Sequence, residues 1–377
     1  MKKLLVLLVV LALSMFGVSA AFAYDVKVDD DTFAKVGAKA QIQYVMSTPV
    51  HDKVDVGVSN ARVYFAGQVT NQFKFGLNFD MGRTPTATVF ETTDGATIDI
   101  PTPSTQTNSL SDAFIILDLA KEFKLMTGIY RMAVSRVALQ DSYQFILINA
   151  PEVASKSFLS NGTLAGFRSG GLTLWGDLAD GKVRYNVGLW DGDYIADKIG
   201  NSITGIGTNP DDEMAMTARV VMNFMDPEKG YTCPGCYLGK AKIANVGVGY
   251  LTQDYMNTLA GAEKTYTVTT VDGFYDADNM TLEAAYFKYD YDNGVKPTGY
   301  YVEAAYAMDK IQPAARYESF DADVALNNNT DYTKIVLGVN YLFAGHDAKI
   351  GLEYAMKNFD GTGVDVDTTT VQLQVQF

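Results

Sequence analysis

Apolar and polar residues alternate with a period of two in run after run from residue 34 to Phe377, and no other feature narrows the possible folds so far. The cleanest run sets Phe73, Phe75, Leu77, Phe79 and Met81 against Gln72, Lys74, Gly76, Asn78 and Asp80. Near residues 34–47, Val36, Ala38, Ala40, Ile42, Tyr44 and Met46 oppose Lys35, Lys39, Gln41 and Gln43. The chain ends in the same way, Val371-Gln372-Leu373-Gln374-Val375-Gln376-Phe377. Such alternation gives a strand one apolar and one polar face, and helical spacing fits it badly.

The remaining runs lie near 58–70, 112–120, 123–131, 167–178, 182–190, 213–224, 240–253, 265–272, 279–289, 299–308, 310–320, 331–343 and 347–358, so that sixteen strands are predicted in all. The segment 265–272 alternates least clearly. An even number returns both ends to one side, as a closed single-chain membrane barrel requires. Short turns near Thr70-Asn71, Ala120-Lys121, Ala179-Asp180-Gly181, Asp309 and Gly345-His346 interleave with longer loops at 48–57, 82–111, 132–166, 191–212, 321–330 and 359–366. One rim is thus trimmed and the other elaborated, with the long turn 225–239 as an exception on the trimmed rim. The expected fold is all-β: a transmembrane antiparallel β-barrel of about 16 strands, one domain over residues 24–377.

The N-terminus carries a matching address. Lys2 and Lys3 precede an apolar run from Leu4 to Val18, and Ala21-Phe22-Ala23 has the small-x-small pattern of a cleavage site, so residues 1–23 read as a signal peptide. Beyond it the longest apolar stretch, Ala113–Leu117, is broken by Asp118, too soon for a spanning helix. Aromatic content of 23 Tyr and 20 Phe against only 10 Pro suits strands with aromatic girdles facing outer-membrane lipids. The terminal Phe377 on its alternating strand resembles the tail by which the bacterial outer-membrane assembly machinery recognises its clients. Without Lys2 and Lys3 the chain holds 28 basic and 44 acidic residues, a net charge of −16, which argues against nucleic acid as a partner.

Catalytic chemistry finds little support. Only His51 and His346 are present, one in a long loop and one in a short turn, so no Ser-His-Asp set or His-based zinc site is expected, nor any cofactor. The acidic runs Asp29-Asp30-Asp31 and Asp211-Asp212 lack the spacing of a calcium loop and read as solvated. In Cys233-Pro234-Gly235-Cys236 two thiols this close are expected to form a small disulfide pinning the long turn. The alternatives are a reduced, inert pair or a functional one. Haem attachment would require His where Tyr237 stands, and a redox role would need a helix start.

Several segments resemble the phosphate-selective porin O and P family of bacterial outer-membrane porins. The stretch Arg168-Ser169-Gly170-Gly171-Leu172-Thr173-Leu174-Trp175-Gly176-Asp177, continuing through Gly181-Lys182-Val183-Arg184-Tyr185-Asn186 to Trp190-Asp191-Gly192, looks like the family's central hairpin, with Asp191-Gly192 replacing the usual exit pair. Leu125–Arg131 followed by Ser135-Arg136 resembles the strand leading into an infolded third loop. Ala315-Arg316-Tyr317-Glu318, and Gly338-Val339-Asn340-Tyr341 with Gly345-His346 and Lys349, resemble segments near the C-terminus. The resemblance spans nearly all of residues 34–377. It implies a barrel in the outer membrane of a Gram-negative bacterium, usually a homotrimer, that passes small solutes or ions by diffusion. Members need not select phosphate.

On that reading the residues of interest line the lumen. A barrel of this size leaves an aqueous channel that only an infolded loop can narrow, and 132–166 is the expected loop, with Arg136, Asp141, Tyr143 and Gln144 and an apolar Phe145-Ile146-Leu147-Ile148 that should pack on the wall. Arg131 and Arg136 are expected near the constriction. By strand parity Lys39, Arg62, Lys74, Arg184, Arg219 and Arg316 point toward water, where they could concentrate anions. Asp80, Asp112, Asp118, Glu213, Glu318 and Glu353 share that side, and pairing between the two sets would leave a mixed, weakly selective wall. A general-diffusion channel is therefore expected. A phosphate- or anion-selective channel and a structural barrel sheathing a periplasmic partner are the alternatives.

Overall fold

The computed structural model describes residues 24–27, 29, 31–48, 54–81, 109–155, 168–192, 207–208, 213–257, 261–292, 294–323, 331–360 and 364–377. The signal peptide, His51, Asp30, Asp211-Asp212 and most of loops 82–111, 156–166 and 191–212 lie outside these residues.

Among the described residues two short strands and sixteen long ones are present. β1 (Tyr24–Lys27) is followed by β2 (Phe33–Thr48), β3 (Asp55–Gln68), β4 (Phe73–Asp80), β5 (Ser109–Ala120) and β6 (Phe123–Arg131). After a long loop come β7 (Arg168–Leu178), β8 (Val183–Trp190), the two-residue β9 (Gly207–Thr208), β10 (Ala215–Asn223), β11 (Ile243–Asn257) and β12 (Ala262–Ala277). The last third holds β13 (Met280–Asp290), β14 (Thr298–Tyr306), β15 (Ile311–Asp321), β16 (Tyr332–Leu342), β17 (Ala348–Phe359) and β18 (Val366–Gln376). The long strands pair antiparallel in chain order, and β18 closes the ring on β2 from Asp367↔Thr48 to Gln376↔Lys39. Phe377 extends the seam, exchanging backbone hydrogen bonds with Ala38 at 2.9 and 3.1 Å. Among the described residues closure gives each long strand a hydrogen-bonded partner on both sides, as strands in lipid require.

The burial pattern is the reverse of a soluble protein's. On β12, Val271 is 44% exposed on the outer face while its neighbour Asp272 is 2% exposed on the inner one. Val187, Val220, Val248, Val302 and Leu337 are likewise exposed, whereas Gln41, Arg62, Arg219, Glu283, Arg316 and Glu353 are buried in the lumen. Phe73, Phe123, Phe224, Tyr306, Tyr341 and Phe377 are exposed at the short-turn rim and form an aromatic girdle there. β12 is twice as long as its alternation suggests. Thr residues on both faces blur the polarity, and inward-facing Tyr266 and Val268 pack on chain inside the barrel rather than meeting water. It turns into β13 through Asp278-Asn279, both at positive φ, residue types that tolerate this conformation in two-residue hairpins.

Chain fills part of the lumen. Residues 132–155 leave β6 and run inward, forming α1 (Arg136–Leu139), whose N-cap Ser135 accepts the Ala138 N–H at 3.2 Å, then a 3-10 turn at Ser142–Gln144 and α2 (Glu152–Ser155). They lie along the wall of β11–β18 and are held by its inward side chains. Asp272 accepts the N–H of Arg136 at 3.0 Å, Glu353 that of Ile148 at 2.9 Å and Glu318 that of Val153 at 3.1 Å. In return Arg316 donates to Asn149 O, Asn340 to Ile146 O, Lys349 to Phe145 O and Gln374 to Tyr143 O, at 2.7–3.1 Å. Ile146 and Leu147 pack on Ala305, Ala314, Val336 and Ala355, as the apolar run requires. Gly249 lets the loop come close, because a Cβ there would lie 1.8 Å from Val134 O.

A second segment enters from the opposite rim. Residues 224–242, between β10 and β11, fold inward and meet the loop: Cys233 N–H donates to Leu139 O, Asp141 N–H to Cys233 O and Gly235 N–H to Gln144 O, at 2.9–3.3 Å. Their junction is a buried ion network. Arg136 lies between Glu228, at 2.7 Å, and Glu283, which also accepts from Gln140 and from Tyr301 at 2.6 Å. Removing one member of such a network strands a buried charge. Glu283→Ala should therefore lower unfolding stability by roughly 3–5 kcal/mol, read as a lower denaturant midpoint for protein refolded in lipid vesicles; an unchanged midpoint would contradict the network.

Candidate functional site: the lumenal cavity

The loop leans mainly on β11–β18 and reaches β2, β3 and β6 at side chains such as Gln41, Asn60 and Arg131, so that a cavity of about 320 Å³ lies between the inner faces of β2–β7 and the infolded chain. Four cations line it: Lys39 on β2, Arg62 on β3, Arg131 at the end of β6 and Arg168 at the start of β7. The lining acids are Asp112 on β5 and Asp141 on the loop. Tyr231 and Thr232 from the second infolded segment complete the lining on the loop side, and Tyr231 is fixed by donating its hydroxyl to Arg131 O at 2.8 Å.

Pairing is uneven. Arg168 grips Asp112 in a fork, Nε to Oδ1 at 2.6 Å and Nη2 to Oδ2 at 3.2 Å. Lys39 reaches across to Asp141 at 2.5 Å. Arg62 stands 3.8 Å from Asp80, too far for a hydrogen bond, and its Nε has no partner among the described residues. Arg131 donates to the Ala138 carbonyl at 3.0 Å. Even with Asp80 counted, four cations face three acids among the described residues. Burial opposes the charge on Asp141, yet Lys39 beside it, with Arg62 and Arg131, holds its carboxyl well below the usual range, so the loop's negative charge persists in mild acid.

Of the residues singled out by sequence, Lys39, Arg62, Asp112, Arg131 and Asp141 meet in this cavity. Arg136, Lys74, Arg184, Arg219 and Arg316 do not line it. Arg136 is buried in the ion network, Arg219 is held by both oxygens of Asp272 at 2.6 Å, and Arg316 lies between Glu318 and Glu303 beneath the loop. Lys74 pairs with Asp118 at 2.6 Å and Arg184 with Asp177 at 2.8 Å. For these five the reading in which wall acids neutralise wall bases is the one observed. Arg168, first residue of the conspicuous hairpin, and Asp112 were legible as lumenal only through the strand pattern, and nothing in the sequence marked them as partners. Tyr231 was signalled only by the anomalous length of its turn.

The expected disulfide is absent: Cys233 and Cys236 are both free. Each is bound into a different contact, which keeps them apart. Cys233 lies against the loop with Sγ 3.7 Å from Arg136 O, while Cys236 Sγ faces Gln312 Nε2 at 3.4 Å. Burial pushes both thiols up, Cys236 to about 11, so neither is a ready nucleophile at neutral pH. The turn is pinned by hydrogen bonds instead, one of them from His346 Nε2 to Cys236 O at 3.0 Å.

A family model described as Gram-negative porin matches residues 156–362. A protein of Aquifex aeolicus (strain VF5), whose name states no function, is 28% identical over 276 residues, covering 68% of this chain but only 64% of its own length. Among solved structures, Salmonella typhi OmpF in complex with daunomycin superposes with a TM-score of 0.61 at 16% identity, over 94% of this chain and all of its own. The anion-selective porin from Comamonas acidovorans gives 0.59 at 12% identity over 92% of this chain and 100% of its own. The trimer form of OmpT from Vibrio cholerae gives 0.56 at 13%, again over 92% and 100%. At such identities these likenesses speak for the fold.

His346 provides a pH test of the pinned turn. Burial, reinforced by Lys349 and Lys240 against Asp141, lowers its pKa to about 3, and its Nδ1 has no partner among the described residues to take a second proton. Unfolded, the ring titrates near ~6.5. Between about 3 and ~6.5 only the unfolded chain binds the proton, so stability is full above the upper value and falls as pH drops through the window. Heat unfolding in detergent should follow this course in the wild type and be flatter with pH in His346→Gln; equal slopes would contradict the buried, neutral ring.

Proposed function

Because the chain belongs to the Gram-negative porin family of the outer membrane, we propose that it forms a water-filled channel for passive diffusion of small hydrophilic solutes and ions, with residues 1–23 as its export signal. It acts as a channel rather than as an enzyme. The observation that carries this reading is the narrowing of the barrel: infolded residues 132–155 and 224–242 occupy part of the lumen and border a cavity of about 320 Å³ with four cations on its lining. Charges in a narrow, low-dielectric passage act more strongly on a passing ion than they would on an open surface. The excess of base over acid at this point supports a modest preference for anions within a general-diffusion channel.

A phosphate-selective channel of the O and P type is the second reading, favoured by the same cluster of Lys39, Arg62, Arg131 and Arg168. The sheath reading is disfavoured, since this chain's own residues 132–155 and 224–242 already occupy part of the lumen that a partner would need. Assembly as a homotrimer fits the family and the trimer form of one similar barrel.

Single-channel recording in planar bilayers tests the proposal. Folded protein should give stable open steps in KCl, with a reversal potential in a salt gradient that favours chloride slightly. Asp141→Asn should raise chloride preference about two- to threefold and Arg62→Gln should lower it by a similar factor, as expected for single charges in a partly screened pore. Folded protein that carries no current would contradict the channel, and block by millimolar phosphate would favour the selective form.

A further inference from the structure

The lumen of a membrane barrel is expected to be polar at every inward position, because water meets it there. On β5 this rule fails. Asp112, Phe114, Ile116 and Asp118 share the inward face, so the apolar run Ala113–Leu117 is apolar on both sides of the sheet. Met126 and Tyr130 lie beside them on β6. On β4 the inward neighbour is Gly76, where a Cβ would meet the Phe114 ring at 2.3 Å, so the ring covers the glycine. Phe114 and Ile116 are only half-buried. One side of each packs against the buried cluster that includes Met126, Tyr130 and Tyr231, and the remaining surface lines the cavity.

From this juxtaposition we propose that the cavity is a binding subsite for organic anions, specifically monocarboxylates with an aromatic or alicyclic body; the inference rests on the channel reading above. The cations would take the carboxylate, and Arg62, with its Nε unpartnered among the described residues, is the one best able to add a hydrogen bond. The apolar ledge of Phe114, Ile116, Met126 and Tyr130 would take the ring, which leaves water as it lands there. A cavity of about 320 Å³ is at the small end of ligand pockets, suited to one ring and one charged group. Inorganic phosphate could use the cations but would gain nothing from the ledge, and an organic cation would be repelled.

Benzoate, acetate and inorganic phosphate, each as the potassium salt, make the test on the wild-type channel in planar bilayers. The expected result is that benzoate passes more readily than acetate by reversal potential, against their order of mobility in water, and produces brief interruptions of the KCl current that acetate does not. The pair Phe114→Ser and Ile116→Ser should shorten those interruptions about tenfold, a difference of about 1.4 kcal/mol. Heat-modifiable migration reports whether the variant folds, and the wild-type comparison stands without it. Benzoate behaving as acetate overturns the proposal while leaving the channel intact, and stronger block by phosphate than by benzoate overturns it in favour of the phosphate-selective reading. Absence of any KCl current would overturn the channel reading and this inference with it.

Discussion

A ring of sixteen strands encloses more space than its own side chains can fill, and whatever narrows it must be main chain, with peptide groups that need partners. The wall supplies those partners. Asp272, Glu318 and Glu353 accept amides of the infolded loop, while Arg316, Asn340, Lys349 and Gln374 donate to its carbonyls. Loop and wall are thereby fitted group to group over about half of the barrel. The second segment, 224–242, locks the loop from the opposite rim through backbone hydrogen bonds and the Arg136, Glu228 and Glu283 network.

This arrangement divides the lumenal charges into two kinds. Beneath the loop, Arg219 with Asp272 and Arg316 with Glu318 are buried and matched, so their fields largely cancel before reaching the passage. On the cavity side the matching is looser: Arg62 stands 3.8 Å from Asp80 and Arg131 donates to the Ala138 carbonyl, with Asp112 and Asp141 on the same lining. Selectivity should therefore follow the few groups that the infolded chain leaves uncovered rather than the strongly acidic composition. The same division explains why the apolar ledge stands out. Under the loop, the inward Ala305, Ala314, Val336 and Ala355 pack on Ile146 and Leu147, whereas Phe114 and Ile116 are only partly packed and border the cavity.

How much of this was legible follows from what a period of two encodes. It reports which face a residue takes, so the sixteen long strands, the closure of β18 on β2 and the inward set of charges could be read directly. Pairing across the lumen depends on register and on the course of a loop, which parity does not carry; neutralisation of Arg219 and Arg316 by inward acids was expected, yet which acids would do it was not legible. β12 was underestimated because its inner face packs on protein instead of water, which removes the contrast that marks a strand. Cys233 and Cys236 misled in another way. Closeness in sequence suggested a bond to each other, but each is committed to a separate hydrogen-bonded contact.

Everything above depends on residues 132–155 being fixed along the inner wall. Hydrogen exchange of the protein in lipid nanodiscs, followed by mass spectrometry of peptides from this segment, measures that most directly. The amides of Arg136, Ile148 and Val153, donating to Asp272, Glu353 and Glu318, should be protected to an extent comparable with the barrel strands. Exchange at the rate of an unstructured peptide across the segment would contradict the account, and with it the narrowed lumen.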